Sequence, residues 1–326
     1  MRIAVIGAAG MIGHALTREL LTAGRIKDQV IDQLILCDIR PPEPGFDDGR
    51  VTQVLGDAAD SRIVETVLAS RPEMIFHVAA TAMGQADRDF AIGYHINFDT
   101  VRALAEGLRK AGSSYCPRLV HASSIGVYGA PFPALIEDDT MPRPDSSYGA
   151  QKLMSETLIA DYSRMGFLDG ICLRLPTIAV RPGEATHGNS GFFSNIIREP
   201  LHNRHAVLPA SDDVRHWLAS PKTALAQLIH AAALPAPALT ACRALTMPGV
   251  SVTVGALLEA LGAVAGEHGV SLVKRQTPPS YEARDFPQRF AAGRARALGF
   301  PLFERTASDL VQDYIATHDV SQNPDR

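Results

Sequence analysis

The sequence predicts an α/β protein, a doubly wound parallel sheet with a smaller C-terminal lobe, and three observations carry that expectation. A four-residue apolar run at 3–6 stops at Gly7, and Ile12, Leu16, Leu20 and Leu21 follow at helical spacing. The same alternation of short apolar run and amphipathic stretch recurs as far as Leu175. Beyond Thr177 it loosens, with prolines at 182, 200, 209, 221, 235, 237 and 248 cutting the chain into short segments. Strands alternating with helices call for a parallel sheet covered on both faces and joined by right-handed crossovers, the Rossmann architecture.

In order, residues 3–6, 33–38, 50–56, 74–78, 118–122 and 170–175 are the expected strands. Residues 11–23, 61–70, 99–111 and 147–165 are the expected helices, and 225–233, 254–265 and 309–317 are further helices in the second half. Residues 41–48, rich in proline, glycine and acid, form a surface loop. A dinucleotide-binding domain is expected over 1–176. Residues 177–326 mainly form a substrate-binding lobe, with some segments returning to the first domain.

A chain of 326 residues is long enough for two domains and a sizeable core. Its 46% hydrophobic and 20% charged residues are ordinary globular composition. The net charge of −4, with no run of Lys or Arg longer than two, argues against a nucleic-acid binder. Cys37, Cys116, Cys172 and Cys242 are far apart and have no zinc-site spacing, so no metal is expected and buried structural thiols are the ordinary reading. The N terminus reaches a glycine too soon for a signal-peptide core, and no apolar stretch is long enough to span a bilayer. A cytoplasmic protein without membrane contact is the expectation.

The segment Gly7-Ala-Ala-Gly10-Met11-Ile12-Gly13 lies between the first strand and its helix, where a dinucleotide pyrophosphate meets backbone N–H groups at a helix N terminus. Its GxxGxxG spacing differs from GxGxxG and is weak as a bare pattern. Asp38 strengthens it, because a carboxylate ending the second strand accepts from both adenosine ribose hydroxyls and repels a 2′-phosphate. This favours NAD, while Arg40 keeps NADP open. Asp57 and Ala58, after the third strand, stand where an acceptor meets the adenine amino group, although a turn or cap aspartate reads equally well. His77-Val-Ala79-Ala follows the fourth strand, with small residues that let a flat ligand approach. His77 itself reads as a structural hydrogen-bonder.

The strongest signal is Tyr148-Gly-Ala-Gln-Lys152, preceded by Ser123-Ser124-Ile-Gly-Val-Tyr128-Gly129 at the end of the fifth strand. Four residues apart on a helix, Tyr148 and Lys152 share a face. A free phenol titrates near about 10, too high for a base near neutrality, and a neighbouring ammonium favours the phenolate. Ser124 then holds a substrate oxygen while Tyr148 takes its proton.

These motifs together resemble the extended short-chain dehydrogenase/reductases, in the epimerase/dehydratase-like branch. The resemblance implies Ser124, Tyr148 and Lys152 as the catalytic set. It also implies Asn97 in support of the proton relay and cofactor site, and Lys152 as a partner of the nicotinamide ribose. Residues 146–152, 161–170, 173–183, 196–201, 215–221, 247–253 and 297–301 are similar to the D-erythronate dehydrogenases. What this implies is NAD-dependent oxidation of the C2 hydroxyl of a short sugar acid in tetronate catabolism, D-erythronate to 2-dehydro-D-erythronate. Which acid and which stereochemistry stay open, because they depend on pocket shape.

A sugar-acid carboxylate needs a cation, and Arg215, Arg181 and Arg198 are offered by these segments, Arg215 foremost. Ser123 and Ser124 are the expected hydroxyl contacts, and Thr177 approaches the nicotinamide carboxamide. Arg174 reads as a brace, and Trp217 as core packing ahead of substrate stacking. Ile125-Gly126 stands where the branch's dehydratases carry Asp-Glu, which disfavours elimination. A sugar or nucleotide-sugar 4-epimerase is the alternative, since it uses the same Ser, Tyr and Lys. Relatives of this branch commonly dimerise, which makes the helices at 99–111 and 147–165 the expected interface of a homodimer.

Overall fold

Strand β1 (Arg2–Ile6) is four-fifths buried and runs directly into the glycine turn, and helix α1 (Met11–Ala23) starts after Gly10. The computed structural model describes residues 1–81, 83–112, 114–183, 190–239 and 242–318. Strands β2 (Gln33–Asp38), β3 (Val51–Leu55), β4 (Met74–His77), β5 (Arg118–Ser124), β6 (Asp169–Leu175) and β7 (Ala244–Thr246) complete a seven-stranded sheet in the order β7-β6-β5-β4-β1-β2-β3. The pairings of β1 with β2 and β4, of β2 with β3, and of β4 with β5 are all parallel. The chain leaves β1 toward β2 and β3, then returns to place β4 on the other side of β1. That reversal is the topological switch point, beyond whose carboxyl ends open α/β sheets bind ligands.

Helices α2 (Ser61–Ala69), α3 (Thr100–Lys110) and α4 (Ser147–Arg164) follow the expected segments closely. Val101, Leu104 and Leu108 on α3 recur at helical spacing and are fully buried, together with Ile35, Ile75 and Leu119 of the sheet. A π-helical turn, His95–Asp99, precedes α3, and the short helices Met83–Arg88 and Phe90–Tyr94 precede that turn. Periodicity alone announces none of these three.

The chain divides into two compact units, and the division is more interleaved than a boundary at 176. The first comprises residues 1–127, 146–174 and 225–245. The second comprises 128–145, 175–224 and 246–326. Residues 225–245 thus return to the first unit, and 128–145 leave it.

Within the second unit, Arg215–Ala219 pairs antiparallel with Val250–Thr253 and parallel with Thr177–Ile178. Helices α5 (Phe192–Leu201), α7 (Val254–Ser271) and α8 (Ala307–Thr317) belong to it as well, whereas α6 (Pro221–Ala233) lies mostly in the first unit. Phe193, Ile196, Leu218, Leu257 and Leu310 are fully buried in one cluster. Trp217 is 5% exposed, donates from Nε1 to the Met247 carbonyl at 3.1 Å and packs against the Phe290 ring, with ring centres 5.6 Å apart.

Candidate active site

The glycine turn is built by close approach. A methyl group on Gly13 would stand 2.0 Å from the Gly7 carbonyl oxygen, and one on Gly7, whose φ is +90°, would meet the Ala79 nitrogen at 2.5 Å. No larger residue fits either position, and the ends of β1 and β4 meet there. Helix α1 begins with no side-chain cap, whereas Asp60, Ser146, Thr253 and Thr306 cap α2, α4, α7 and α8. Its first-turn N–H groups, Met11 and Ile12 among them, are thus left by the side chains to an anion, and the turn fits a pyrophosphate.

Asp38 closes this cradle from β2, its Oδ2 accepting from the Ala9 N–H at 2.9 Å. The Arg40 side chain, the one argument for a 2′-phosphate, is exposed on the following loop. Asp57 does not cap α2, a role taken by Asp60. One Asp57 oxygen accepts from the Ala59 N–H at 2.8 Å and the other contacts His95 Nε2 at 2.6 Å. Partial burial acts to raise the Asp57 carboxyl, but the Ala59 hydrogen bond and His95 outweigh it and its pKa is lowered. His95 is a partner that sequence reasoning missed, because it lies 38 positions away on an element with no periodic signature.

Asn97 sits in the π-turn and is fully buried. Its Oδ1 accepts from the Thr81 N–H at 2.9 Å, which turns Nδ2 toward Gln151 Oε1 at 2.7 Å. Its own carbonyl accepts from Ser155 Oγ at 3.1 Å. Thr81, Gln151 and Ser155 therefore fix the asparagine; only Gln151 lay inside a motif quoted from the sequence.

Ser146 caps α4 by accepting from the Gly149 N–H at 3.1 Å, which sets where Tyr148 and Lys152 project. Lys152 is 1% exposed and donates from Nζ to the Ala122 carbonyl at 2.9 Å. The same Nζ lies 5.8 Å from the centre of the Tyr148 ring. Burial lowers the lysine to about 8, opposed by Cys172 and Glu156, which act to raise it. Ser124 ends β5, and its Oγ accepts from the Gly126 N–H at 3.0 Å, leaving the hydroxyl proton to donate. Ser124, Tyr148, Lys152 and Asn97 thus belong to one unit, at the carboxyl ends of its strands.

Ser123 does not join them, which corrects the substrate contact expected of it. Neighbouring residues of a strand face opposite sides, and Ser123 is 3% exposed with Oγ donating to Glu156 at 2.5 Å. Arg174 meets the same carboxylate with Nε and Nη2, at 3.0 and 2.7 Å, as the brace its strand position implied. Behind Lys152, His77 and His121 are fully buried with ring centres 5.2 Å apart. His77 Nε2 contacts Thr100 Oγ1 at 3.0 Å, so this histidine is a structural hydrogen-bonder.

Thr177, Arg181 and Arg215 belong to the second unit. Thr177 Oγ1 contacts His216 Nε2 at 2.8 Å, and Arg215 donates from Nη1 to the Ser251 carbonyl at 3.0 Å. The Arg181 N–H donates to Ser194 Oγ at 3.1 Å. Arg198 is corrected as a candidate: it is 1% exposed, and its donors are taken by Glu199, Asn195 and the Arg181 carbonyl, each at 2.7 Å. Of the cysteines, Cys37 and Cys172 are buried, Cys116 is exposed and Cys242 half-buried. Burial of all four, the ordinary reading of the sequence, therefore holds for two. Among the described residues no cluster of His, Cys, Asp and Glu could hold a metal ion, and no helix is long and apolar enough to cross a membrane.

Comparison with known proteins adds four findings. The chain is 40% identical over 306 residues to D-erythronate dehydrogenase of Cupriavidus necator, covering 92% of this chain and 94% of that one. It is 36% identical over 317 residues to D-erythronate dehydrogenase of Haemophilus influenzae, covering 97% and 99%. A crystal structure of a protein named as a nucleoside-diphosphate-sugar epimerase, from Agrobacterium tumefaciens, superposes with a TM-score of 0.91 at 43% identity, over 97% of this chain and 94% of that one. Residues 3–234, which hold the glycine turn, Asp38 and the Ser124, Tyr148 and Lys152 set, match the NAD dependent epimerase/dehydratase family. By that match and by the near-full-length similarity to the two dehydrogenases, the chain belongs to the NAD-dependent epimerase/dehydratase family of extended short-chain dehydrogenase/reductases, and its cofactor is NAD.

Proposed function

We propose that this protein oxidises the C2 hydroxyl of a short sugar acid, D-erythronate foremost, to the 2-oxo acid 2-dehydro-D-erythronate, in tetronate catabolism in the cytoplasm. The observation that carries the chemistry is the placement of Lys152 beside the Tyr148 ring on one helix, with Ser124 at the end of the neighbouring strand. Near-full-length similarity to two D-erythronate dehydrogenases supports the substrate.

NAD, when bound, supplies the acceptor for the hydride from C2. The residues of the chain do the rest. Ser124 donates its hydroxyl proton to the substrate oxygen, because the Gly126 N–H already occupies one of its lone pairs. Tyr148 Oη takes the proton of the C2 hydroxyl, and the ammonium of Lys152 favours the phenolate that does so. Asn97, held on both amide atoms, supports the proton relay beside them. Gly7, Gly10, Met11, Ile12 and Gly13 hold the pyrophosphate, Asp38 the adenosine ribose, Asp57 and Ala58 the adenine, and Ala79 and Thr177 the nicotinamide side. Arg215 is the proposed partner of the carboxylate. It gives one donor to Ser251, and its remaining guanidinium donors suit a planar bidentate anion. Arg181 is the second candidate. A homodimer through α3 and α4 completes the reading.

A 4-epimerase is the second reading, favoured by similarity to the Agrobacterium protein, which is named as an epimerase. The test is absorbance at the reduced-nicotinamide band with purified protein, NAD, four- to six-carbon aldonates and UDP-sugars. Stoichiometric NADH with D-erythronate is the expected result. Interconversion of a UDP-sugar with NAD left unreduced, and silence with every acid, would replace the dehydrogenase by the epimerase.

A further inference from the structure

Gly126 stands where three side chains converge. A methyl group placed on it would lie 3.1 Å from Met83 Cε, 3.3 Å from Ser124 Oγ and 3.4 Å from Tyr148 Cδ1. The end of the Met83 thioether therefore shares one small space with the Ser124 hydroxyl and the edge of the Tyr148 ring. Met83 opens the short helix Met83–Arg88 and is half-buried, and all four residues belong to the first unit. Nothing in the hydrophobic pattern of the sequence marks it.

We propose that Met83, with Gly126, determines the length of acid the site accepts, an inference that rests on the proposed sugar-acid oxidation. A substrate hydroxyl within reach of Ser124 Oγ and Tyr148 Oη has two carbon substituents, and one of them must pass the Met83 methyl. That methyl restricts volume. It also offers no hydrogen bond, so a hydroxylated carbon pressed against it loses water without a replacement partner. A four-carbon acid has little chain to place there, whereas a six-carbon acid has two further hydroxylated carbons. Gly126 is the other wall, and its lack of a side chain is what lets the thioether reach this far.

The experiment measures kcat/KM for six-carbon D-gluconate relative to four-carbon D-erythronate, with NAD saturating. The KM for NAD and the thermal midpoint are followed as checks on folding. Met83→Ala removes one wall and raises the ratio at least tenfold, within the range of about 10–200-fold that one methylene in a pocket is worth. Met83→Leu keeps the volume and shifts the ratio less than threefold. Gly126→Ala presses on the thioether from the other side and lowers the ratio, and adding Met83→Ala to it restores part of the loss, as contacting residues do in a double-mutant cycle. A ratio within twofold of the unmodified enzyme in both Met83→Ala and Gly126→Ala, with NAD binding intact, overturns the inference alone. Failure of the unmodified enzyme to oxidise any acid overturns the proposed function, and this inference with it.

Discussion

Lys152 Nζ lies 5.8 Å from the centre of the Tyr148 ring while donating to the Ala122 carbonyl at 2.9 Å. The helix sets the four-residue spacing, but β5 supplies the carbonyl that pins the ammonium. Burial brings the lysine down to about 8, so it is still largely cationic at neutrality, where a cation beside a phenol is useful.

Tyr148→Phe removes the proposed base and leaves packing nearly unchanged. NADH formation should fall by about 10²–10⁴-fold, the usual span for a general base, while NAD affinity changes little. Ser124→Ala should lower kcat as well, because the donor to the substrate oxygen is lost. Stopped-time absorbance assays at saturating acid, with NAD binding followed by fluorescence, check both.

Asp38→Ser should raise the KM for NAD and narrow the preference for NAD over NADP, each by roughly tenfold, as for the loss of a charge-assisted hydrogen bond. Asp57→Ala should raise the KM for NAD without changing kcat. The measurement is initial rate against each cofactor. A KM unchanged by either substitution would place the adenosine elsewhere.

Stability should fall as the solution is acidified below about pH 6.5, the ordinary imidazole value. Burial lowers His216 to about 4 and His77 to about 3, and holds His121 well below 6.5, with Lys152 a further cause for the latter two. In that window the unfolded chain binds more protons than the folded one. Stability that is complete above 6.5 is therefore lost as pH falls toward the folded values, by up to about 1.4 kcal/mol per pH unit for each histidine. His121→Leu should make the slope shallower. Urea midpoints between pH 7 and 5 are the check, and a flat profile would mean these imidazoles are not held neutral.

Glu156→Ala should destabilise the fold by about 3–5 kcal/mol, because it leaves the Arg174 guanidinium, its side chain 10% exposed, without its carboxylate. Replacing both partners by apolar residues of similar size should cost much less. Chemical denaturation of the single and double variants distinguishes the two outcomes.

Much of the first unit was legible because its signals are local. The run ending at Gly7, the period of α1 and the Tyr148 to Lys152 spacing each depend on residues close in the chain. The elements that escaped are those whose stability comes from distant partners. Strand β7 is three residues long and pairs at the sheet edge, and the short strand Ala206–Leu208 pairs with Val273–Arg275. The π-turn carrying Asn97 has no period of its own.

By itself the sequence determined the α/β class, the glycine turn with Asp38 and the helical pairing of Tyr148 with Lys152, since periodicity and spacing act over a turn or a strand. Only tertiary structure decided that Ser123 faces Glu156 while Ser124 ends at the site, that Arg198 is consumed by its neighbours, that His95 meets Asp57, and that Met83 reaches Gly126. Those outcomes depend on strand facing and on the docking of segments tens of residues apart, which are fixed when the core packs and its buried polar groups find partners.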